Sequence, residues 1–553
     1  MESQKIKVGL LINDYNIPAW EYHLVKQINE SPHSEISLIV RKLGKQNQKE
    51  STFQKLWKIR GNFLYFLHGK IESKLFKPKK NAFTPKDLNK IVNCPEILVN
   101  PKETKFSDII SDEDVSKIKS EEIDVLLRFG FRILRGGILK SAKYGIWSFH
   151  HGDNAVNRGG PPGVWEVYNN WDETGAILQI LTEDLDGGLT LAKTFSSTDP
   201  KSLIRNKNSY YWNACSMVIR KLNELHSKGG DIFMEEVQGN NNVPQFYYNR
   251  LFVTPKNRET LKSVFRIYHR IIIGWIKRRF FFNQWILLFK FEKKRQLSKS
   301  FWRFKRIVPP KDRFWADPFP IEKNGKYYIF FEELIYKNGL GNISVLELDE
   351  KGNYSKPSVV LEKDYHLSYP FLIEDQDQLW MIPETLQSNQ IELYHCEEFP
   401  LKWKLEKILI KNIRAVDTTI LYHNKKYWLF CNIRENEGAS TSDELFLFHS
   451  SVLATDKWQP HPMNPIVSDV RYSRPAGQIF EYNGHLIRPS QNCAKHYGYG
   501  MQLQIIERLT ETDYKEVNLQ SIHPNWSKDL ISTHTLNHEG KLTVIDALVK
   551  RRK

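Results

Sequence analysis

The residues with the clearest chemical potential lie in the stretch SFHHGD, residues 148 to 153. A short apolar run of β type precedes it, so we expect Ser148, His150, His151 and Asp153 at the end of a strand. A histidine in such a place can accept a proton or donate a hydrogen bond during a reaction. His150, His151 and Asp153 could instead bind a metal, although neighbouring residues of a strand point to opposite faces. A polar turn without chemistry is the third possibility.

The elements that must position this stretch predict an α/β domain with a parallel sheet. Apolar β-type runs alternate with segments of helical spacing such as residues 18–31. In these sheets ligands collect at the carboxyl ends of the strands, which is where SFHHGD falls. No G-x-G-x-x-G follows the first run, so a dinucleotide site is not expected. The predicted strands cover residues 6–14, 34–42, 123–131 and 144–150.

A longer pattern surrounds the histidines in residues 144–193. It runs from the histidine-bearing turn through RGGPP and ETG to DLDGG. In this order the window resembles the formyltransferase family, which includes the methionyl-tRNA, glycinamide-ribotide and sugar-amine N-formyltransferases. Ser148 stands where that family has an asparagine. The residues that match the family pattern are His150, Arg158, Gly159, Pro162, Glu173, Thr174, Gly175 and Asp186.

The resemblance implies a Rossmann-like formyltransferase domain with 10-formyltetrahydrofolate as the formyl donor. His150, Asp186 and Ser148 would be the catalytic residues, because formyl transfer needs a donor near the developing oxyanion and a group that takes the amine proton. Arg158 would contact the acceptor. His151 and Asp153 have no counterpart in the family pattern, and we expect them to contact the acceptor or to compensate for Ser148. The donor would bind at the preceding strand end, to Arg128, Phe129, Gly130 and Phe131.

The second half of the chain contains a repeat of β-hairpins. Each copy has a strand, a polar turn and a second strand rich in apolar residues, and the copies are roughly 50 to 60 residues apart. This period is typical of the four-stranded blades of a propeller, so five copies predict five blades. An irregular β-sandwich is the alternative. The copies lie at residues 316–331, 368–383, 416–431, 475–489 and 532–546.

The motifs FWADPF, YPF and MIPET add a second resemblance. They are similar to the N-terminal propeller of plant glucosamine inositolphosphorylceramide transferases, and the repeat resembles the five-bladed arabinanase and sucrase folds. Arg474 stands where those hydrolases tend to carry an acidic glutamate. The predicted sugar-binding residues are Asp317, Tyr369, Glu384, Asp417, Arg474 and His534.

Three roles remain open for these axial residues. In the first, they form a polar funnel in which Tyr369 or Trp315 stacks on a sugar ring. In the second, they satisfy one another, with Arg474 paired to Asp317 or Asp417. In the third, Asp317 and Asp417 hydrolyse a glycoside with Glu332, Glu333 or Glu384 as the acid, since that reaction needs two carboxylic groups.

Composition narrows the class of protein and its partners. The formal charge of +16 favours anionic partners. It peaks in residues 263–306, which predict a basic helix followed by a strand, in a linker or at a membrane or glycolipid surface. No nucleic-acid module is recognisable, so no nucleic acid is expected. Five scattered cysteines predict neither disulfides nor a cysteine-built zinc site, and we expect no metal.

Together these features predict a formyltransferase-like α/β domain at 1–205, a helical basic connector at 206–281 and a five-bladed β-propeller at 282–553. The expected function is transfer of a formyl group to an amino sugar in bacterial surface-glycan synthesis, with a nucleotide-linked or glycolipid acceptor. The alternatives are a non-catalytic glycan-binding scaffold and a propeller that transfers or hydrolyses glycosides. With no signal peptide or membrane span recognisable, the expected location is the cytoplasm, and the inner membrane surface is the alternative.

Overall fold

Two structural units divide the chain. The computed structural model describes residues 4–44, 52–184 and 187–553. The first unit comprises Met1–Arg270 with Asn436–Ala439, and the second comprises Ile271–Glu435 with Ser440–Lys553. The predicted boundaries at residues 205 and 281 fall within a long helix and at the first residue of a strand.

The first unit is built on a sheet of seven of the described strands. Their order is β12-β11-β10-β8-β1-β3-β5, and the five strands from β10 to β5 are parallel. The strands of this unit are β1 (Ile6–Ile12), β2 (Asn16–Pro18), β3 (Ser34–Lys42), β4 (Pro85–Asp87), β5 (Glu96–Val99), β6 (Lys102–Glu103), β7 (Ser107–Ile109), β8 (Val125–Arg128), β9 (Ile133–Arg135), β10 (Ile146–His150), β11 (Glu173–Ile180) and β12 (Leu189–Ser197).

Helices α1, α4, α6 and α7 of this unit pack against strands of the sheet. Helix α6 is the longest of the described helices and begins after Ser202, whose hydroxyl accepts a hydrogen bond from the backbone N–H of Arg205. The helices are α1 (Ala19–Glu30), α2 (Thr52–Ile59), α3 (Phe63–Leu75), α4 (Asp112–Lys119), α5 (Val164–Asn169), α6 (Leu203–Lys228), α7 (Gly230–Asn240) and α8 (Asn257–Phe280).

Strand β1 shows why its sequence forms a central strand. Alternate residues Val8 and Leu10 pack into one core with α1 and α6, whereas Leu11 packs into a second core with α4. Both faces are therefore covered, as a continuously apolar parallel strand requires.

The α/β organisation agrees with the sequence analysis, and the four predicted strands are present. One expectation is wrong, because the sheet is mixed. Strand β11 pairs antiparallel with both β10 and β12. Its pairing with β12 is antiparallel because a short connection rather than a helical crossover joins the two strands.

The second unit is a five-bladed β-propeller, formed by residues 281–553, all of which the structure describes. Each of the five predicted hairpins lies in its own sheet, so the repeat is confirmed and a sandwich is excluded. The strands are β13 (Phe281–Phe291), β14 (Lys305–Ile307), β15 (Arg313–Lys323), β16 (Lys326–Ile335), β17 (Gly341–Leu348), β18 (Ser358–Leu361), β19 (Ser368–Asp375), β20 (Gln378–Glu384), β21 (Gln390–Glu398), β22 (Lys402–Lys411), β23 (Ala415–His423), β24 (Lys426–Ile433), β25 (Glu444–Ser450), β26 (Gln459–Pro460), β27 (Val467–Ser468), β28 (Phe480–Tyr482), β29 (His485–Asn492), β30 (Gly500–Leu509), β31 (Tyr514–Ile522), β32 (Leu530–Ser532), β33 (Leu536–Glu539) and β34 (Leu542–Arg552).

The propeller is closed by pairing its two ends. Strand β13 pairs antiparallel with β34 over the whole of both strands, from Phe281 opposite Arg552 to Phe291 opposite Leu542. One blade therefore contains both the first and the last strand of the unit, which removes the open edge that an unclosed ring of sheets would expose. The predicted helix and strand in residues 263–306 are α8 and β13. No helix among the described residues combines the length and the apolarity needed to cross a bilayer.

Closure of the propeller depends on apolar side chains of β13. Substitutions at buried positions of this strand should therefore lower the free energy of unfolding more than those at exposed positions. Phe289 is buried against Ile307, Trp315 and Val544, whereas Phe282 is only half-buried. We expect Phe289→Ala to lower the free energy of unfolding of the propeller by about 3–5 kcal/mol, the cost of a core cavity. Phe282→Ala is the matched control and should cost much less. Urea denaturation followed by circular dichroism measures both, and equal losses would contradict this account.

Candidate functional site

Two sets of polar residues are candidates for a functional site, one in each unit. In the α/β unit, the side chains at the carboxyl ends of β8 and β10 meet. The Nε–H of Arg128 donates a hydrogen bond to Ser148 Oγ (2.9 Å), and its Nη1 donates to the carbonyl of Arg132 (2.9 Å). No carboxylate of the described residues forms an ion pair with Arg128, and burial lowers its pKa. The structure thus brings together one predicted donor-binding residue and one predicted catalytic residue.

The two histidines behave differently. His150 Nε2 lies 3.0 Å from the carbonyl oxygen of Asn157, to which it can donate a hydrogen bond. His151 stacks on Tyr211 with ring centroids 3.6 Å apart, and its burial lowers its pKa well below the ordinary value. Neutral His151 is therefore part of an aromatic cluster with Trp20 and Phe149. Within the described residues, His150, His151 and Asp153 do not form a metal-ligand cluster.

The remaining predicted residues of this unit stabilise loops. Asp153 Oδ1 accepts a hydrogen bond from the N–H of Ala155 (3.0 Å). Arg158 donates to the carbonyls of Asn154 (2.9 Å) and Gln245 (3.2 Å). The side chains of Asp153 and Arg158 thus form hydrogen bonds with backbone groups of loops. Asp186 lies outside the described residues.

The predicted donor-binding segment is packed against the end of β1. Phe131 is buried with a positive φ of 64°, and its N–H donates to Asn13 Oδ1 (2.9 Å). A Cβ on Gly130 would lie 2.6 Å from the backbone nitrogen of Asn13. Phe129 makes an edge contact with Trp20. Gly130 thus serves close chain packing.

In the propeller, three equivalent strand starts share an unusual backbone conformation. Asp317, Tyr369 and Asp417 have φ angles of 51°, 44° and 51°. Each lies at a register shift in the first strand of its hairpin, in β15, β19 and β23. A non-glycine residue in this left-handed region is strained, and a bulge redirects its side chain. The repeated feature aims two carboxylates and a phenol at the axis.

Arg474 pairs with one of these carboxylates. Its Nε and Nη2 donate to the two oxygens of Asp417 (2.6 and 3.1 Å), and Nη2 also lies 3.4 Å from Glu384 Oε2. Gln491 Nε2 donates to Asp417 Oδ2 (2.7 Å). All four residues are buried. The predicted alternative in which Arg474 pairs with Asp417 is confirmed, while Glu384 has its pKa raised well above its ordinary value by burial and by the charge of Asp417.

His534 occupies the other side of this charge network. Its Nδ1 lies 2.6 Å from Asp546 Oδ2 and 3.8 Å from Asp317 Oδ1. Asp317 Oδ1 also accepts a hydrogen bond from Thr535 Oγ1 (2.7 Å). Burial raises the pKa of Asp317, and the charge of Asp417 adds to this effect. His534 is therefore held between two buried carboxylates, those of Asp546 and Asp317.

The oxygen and nitrogen atoms of Asp317, His534 and Asp546 lie within 4.8 Å of one another, a spacing that could suit a cation. However, the hydrogen bond from Nδ1 to Asp546 requires a proton on that nitrogen, which occupies its lone pair. The geometry thus describes an ion pair.

The two predicted stacking residues do not present a ring to a ligand. Tyr369 is fully buried, and its hydroxyl contacts Thr419 Oγ1 (2.8 Å) and accepts from the N–H of Gly477 (2.8 Å). Trp315 is buried and donates to Glu333 Oε1 (3.0 Å). Stacking on a sugar by either residue is therefore wrong, because packing covers both rings.

Tyr497 is the aromatic residue that the sequence analysis missed. Its ring lies 4.8 Å from the Arg474 guanidinium and makes an edge contact with His534 at 5.4 Å, yet 47% of the residue is exposed. Asp546, Thr535 and Gln491 were also missed. Asp546 was inside a recognised repeat, but its ordinary strand position gave no signal that it contacts His534. The axial cluster, as we name it, comprises Asp317, Glu384, Asp417, Arg474, Gln491, Tyr497, His534, Thr535 and Asp546.

Comparison with known proteins supports the propeller resemblance. Residues 308–538 match the family described as glucosamine inositolphosphorylceramide transferase 1, N-terminal. A protein of Arabidopsis thaliana named glucosamine inositolphosphorylceramide transferase 1 is 35% identical over 210 residues, which cover 37% of this chain and 27% of that protein. Its namesake from Oryza sativa subsp. japonica is 32% identical over 207 residues, or 37% and 28%. The match thus spans less than a third of these relatives.

Solved structures also resemble the propeller. Zg3597, a family 117 glycoside hydrolase of Zobellia galactanivorans, is 12% identical with a TM-score of 0.32, covering 49% of this chain and 90% of its own. The α-L-arabinanase of Cellvibrio cellulosa, complexed with arabinohexaose, is 14% identical with a TM-score of 0.29, covering 37% and 77%.

These relatives correct the predicted activity. The three curated proteins that match are all named glucosamine inositolphosphorylceramide transferase 1, so formyl transfer, and 10-formyltetrahydrofolate as its donor, are wrong predictions. The structure gives a physical reason for the misleading pattern. Arg158 braces a loop, a Cβ on Gly159 would collide with the backbone of Phe252, and Thr174 bonds to Thr198. The cytoplasmic location predicted with that activity does not follow from these relatives.

The position of His534 predicts a pH dependence of propeller stability. Burial lowers its pKa, but Asp546 and Asp317 outweigh burial and raise it from 6.5 to about 9. Because the folded pKa exceeds the unfolded one, the stabilisation is complete below pH 6.5 and is lost as the pH rises through about 9.

We therefore expect the stability difference between wild type and His534→Gln to be on the order of a few kcal/mol near neutral pH and to shrink in alkaline buffer. Urea denaturation across this range measures it. His461→Gln is the control, since burial lowers the pKa of His461 and its contribution should not decline in the same way. A constant difference for His534→Gln would contradict the ion-pair account.

Proposed function

We propose that this protein takes part in glycosyl transfer to a glycolipid, and that the axial cluster of its propeller binds the sugar. The names of its relatives motivate the reaction class, and the region they share contains most of the propeller. A sugar-bearing inositol phospholipid is the corresponding acceptor class. The observation that carries the proposal is the axial cluster itself, in which a half-exposed aromatic ring lies directly beside buried charged groups.

The chemistry of the cluster suits a saccharide. A sugar offers hydroxyl groups that both donate and accept hydrogen bonds, and apolar C–H groups on its ring faces. Asp317 and Glu384 can accept from hydroxyls, and Arg474 can donate. Tyr497 supplies the aromatic surface against which a ring can pack. Binding sites commonly combine an aromatic wall with a few fixed polar groups in this way.

The same contacts favour binding over glycoside hydrolysis. Hydrolysis needs one carboxylic acid and one free carboxylate on either side of the bond. Asp417 is held by two nitrogens of Arg474 and by Gln491, and Glu384 lies near the same guanidinium. These hydrogen bonds occupy the carboxylate lone pairs that would have to attack the anomeric carbon of the sugar or activate a water molecule.

In this proposal, the side chains at the carboxyl ends of the strands determine which ligand groups the α/β unit can contact. The predicted acceptor-contacting residues His151, Asp153 and Arg158 have protein partners already, whereas Arg128 carries a charge that no described carboxylate balances. We infer that Arg128 is the residue of this unit best suited to an anionic group of a sugar donor or acceptor.

Tyr497 provides the test of sugar binding. Tyr497→Ala removes a half-exposed ring without leaving a buried charge unpaired, unlike substitution of Arg474. We expect it to weaken binding of an inositol-phosphate glycan at least roughly tenfold, as loss of an aromatic anchor does. Calorimetric titration of the soluble glycan measures the affinity.

Tyr422→Ala is the matched control, because Tyr422 is 56% exposed and lies at the opposite end of β23 from Asp417. Equal affinities of Tyr497→Ala and wild type would refute the axial site. Transfer is tested separately with a labelled nucleotide sugar and inositolphosphorylceramide. Product formation that survives Tyr497→Ala unchanged would place recognition elsewhere.

A further inference from the structure

Helix α8 exposes large apolar side chains to solvent, which an ordinary surface helix does not do. Thr260, Ser263 and Ile267 are its buried residues, so they mark the side that faces the protein. On the outward side, Phe265 is 70% exposed and Trp275 is 66% exposed. A surface helix normally places its apolar stripe inward and polar groups outward.

The exposed residues of α8 form one continuous stripe. Their spacing follows the period of an α-helix, at about 3.6 residues per turn, and therefore keeps them on one face. Isolated exposed apolar residues are common, but a contiguous set marks an interaction site. The stripe comprises Leu261, Phe265, Ile272, Trp275, Ile276 and Phe280.

Helix α3 lies beside the start of α8 and repeats the feature. The N–H of Leu64 donates to Asn257 Oδ1 (2.9 Å), and His68 contacts Tyr268 with ring centroids 6.2 Å apart. His68 and Glu72 are the buried residues of α3. Its exposed apolar residues are Phe63, Phe66, Leu67, Ile71 and Leu75.

The segment that leads into α8 adds further exposed apolar groups. Phe246 and Tyr248 are 82% and 86% exposed. The outward sides of α3 and of α8 as far as Arg270, together with residues 243–253, all belong to the first unit and are called the apolar–basic face below.

Positive charge accompanies these apolar groups. Helix α8 contains seven lysine and arginine residues but only one acidic residue, Glu259, which is paired with Arg250 at 2.9 Å. On α3, Lys70 and Lys74 lie on the same side as Phe66 and Phe63 by helical spacing. Within the first unit, the exposed basic residues of α8 are Arg258, Lys262 and Arg266, whereas Arg270 donates to Asn170 and to the carbonyl of Pro200.

We propose that the apolar–basic face binds the surface of an anionic lipid bilayer, with α3 and α8 lying in the plane of the interface. Apolar and aromatic side chains would enter the boundary between headgroups and acyl chains, while lysines and arginines contact lipid phosphates. A bilayer explains both properties of the face at once. A second copy of the chain fits less well, because a symmetric contact would bring the two sets of cations together.

Vesicle flotation of the full chain tests this proposal independently of sugar binding, because the vesicles contain no glycolipid. We expect the protein to float with vesicles of phosphatidylcholine and phosphatidylglycerol, and to bind far more weakly to phosphatidylcholine alone. Raising the salt concentration should release it in part, since salt screens the attraction of surface charges.

Two pairs of substitutions separate the apolar and the electrostatic contributions. Leu261→Ser with Phe265→Ser should weaken binding at least about tenfold, because both side chains are exposed on the same side of α8. Arg258→Gln with Lys262→Gln should weaken it roughly fivefold for each charge removed. Tyr422→Ser with Leu519→Ser is the control, because these propeller residues are 56% and 52% exposed. Circular dichroism shows that each variant is folded.

Three results would overturn the proposal. The first is wild-type protein that fails to float with anionic vesicles in low salt. The second is flotation of the Leu261→Ser, Phe265→Ser variant equal to that of wild type. The third is a change in oligomeric state of that variant, measured by light scattering, with unchanged flotation, which would assign the face to contact between protein chains.

Discussion

Charge balance at the propeller axis is the constraint on which the second unit depends. The inner strands take Asp317, Asp417 and Asp546 out of water, where an unpaired charge is strongly destabilising. Arg474 and His534 supply the compensating protons and charge. Asp417 and Arg474 are separated by 57 residues, and Asp317 and Thr535 by 218, so only correct closure of the ring brings these partners together. Pairing of β13 with β34 is therefore coupled to neutralisation of the axis.

In the proposed function, the same network is both structural and the site of sugar binding. Strained backbone at Asp317, Tyr369 and Asp417 aims their side chains inward, and such strain persists only where surrounding contacts impose it. Most of the resulting polar atoms have protein partners, which holds them in one arrangement. Tyr497 differs because it contacts Arg474 and His534 while leaving much of its ring accessible. Under the proposed function, these fixed polar groups beside the exposed residue Tyr497 are the preorganised surface that a sugar contacts.

The first unit shows how a short motif can suggest chemistry that the fold does not require. The residues of the pattern between Ser148 and Thr174 have structural partners that explain their types, such as the loop carbonyls bound by Arg158. His151 follows a strand end, as expected, but the aromatic rings around it exclude water and keep it neutral. Spacing alone does not distinguish a histidine that faces a ligand from one that faces Tyr211.

The sequence by itself determined the local architecture. Apolar runs and helical spacing were sufficient for β1, β3, β8, β10 and α1, and the hairpin repeat was sufficient for five blades, because these patterns reflect burial of successive residues within one element. It also identified five residues of the axial cluster, namely Asp317, Glu384, Asp417, Arg474 and His534.

The tertiary structure alone decided which of those residues pair and which stay accessible. That Arg474 binds Asp417, that Asp546 holds His534, that Tyr369 is covered while Tyr497 is not, and that the apolar side of α8 faces outward all depend on contacts between residues distant in the chain. A sequence pattern records the period of burial along an element. It does not record the side on which burial occurs, because that is set by the elements that pack against it.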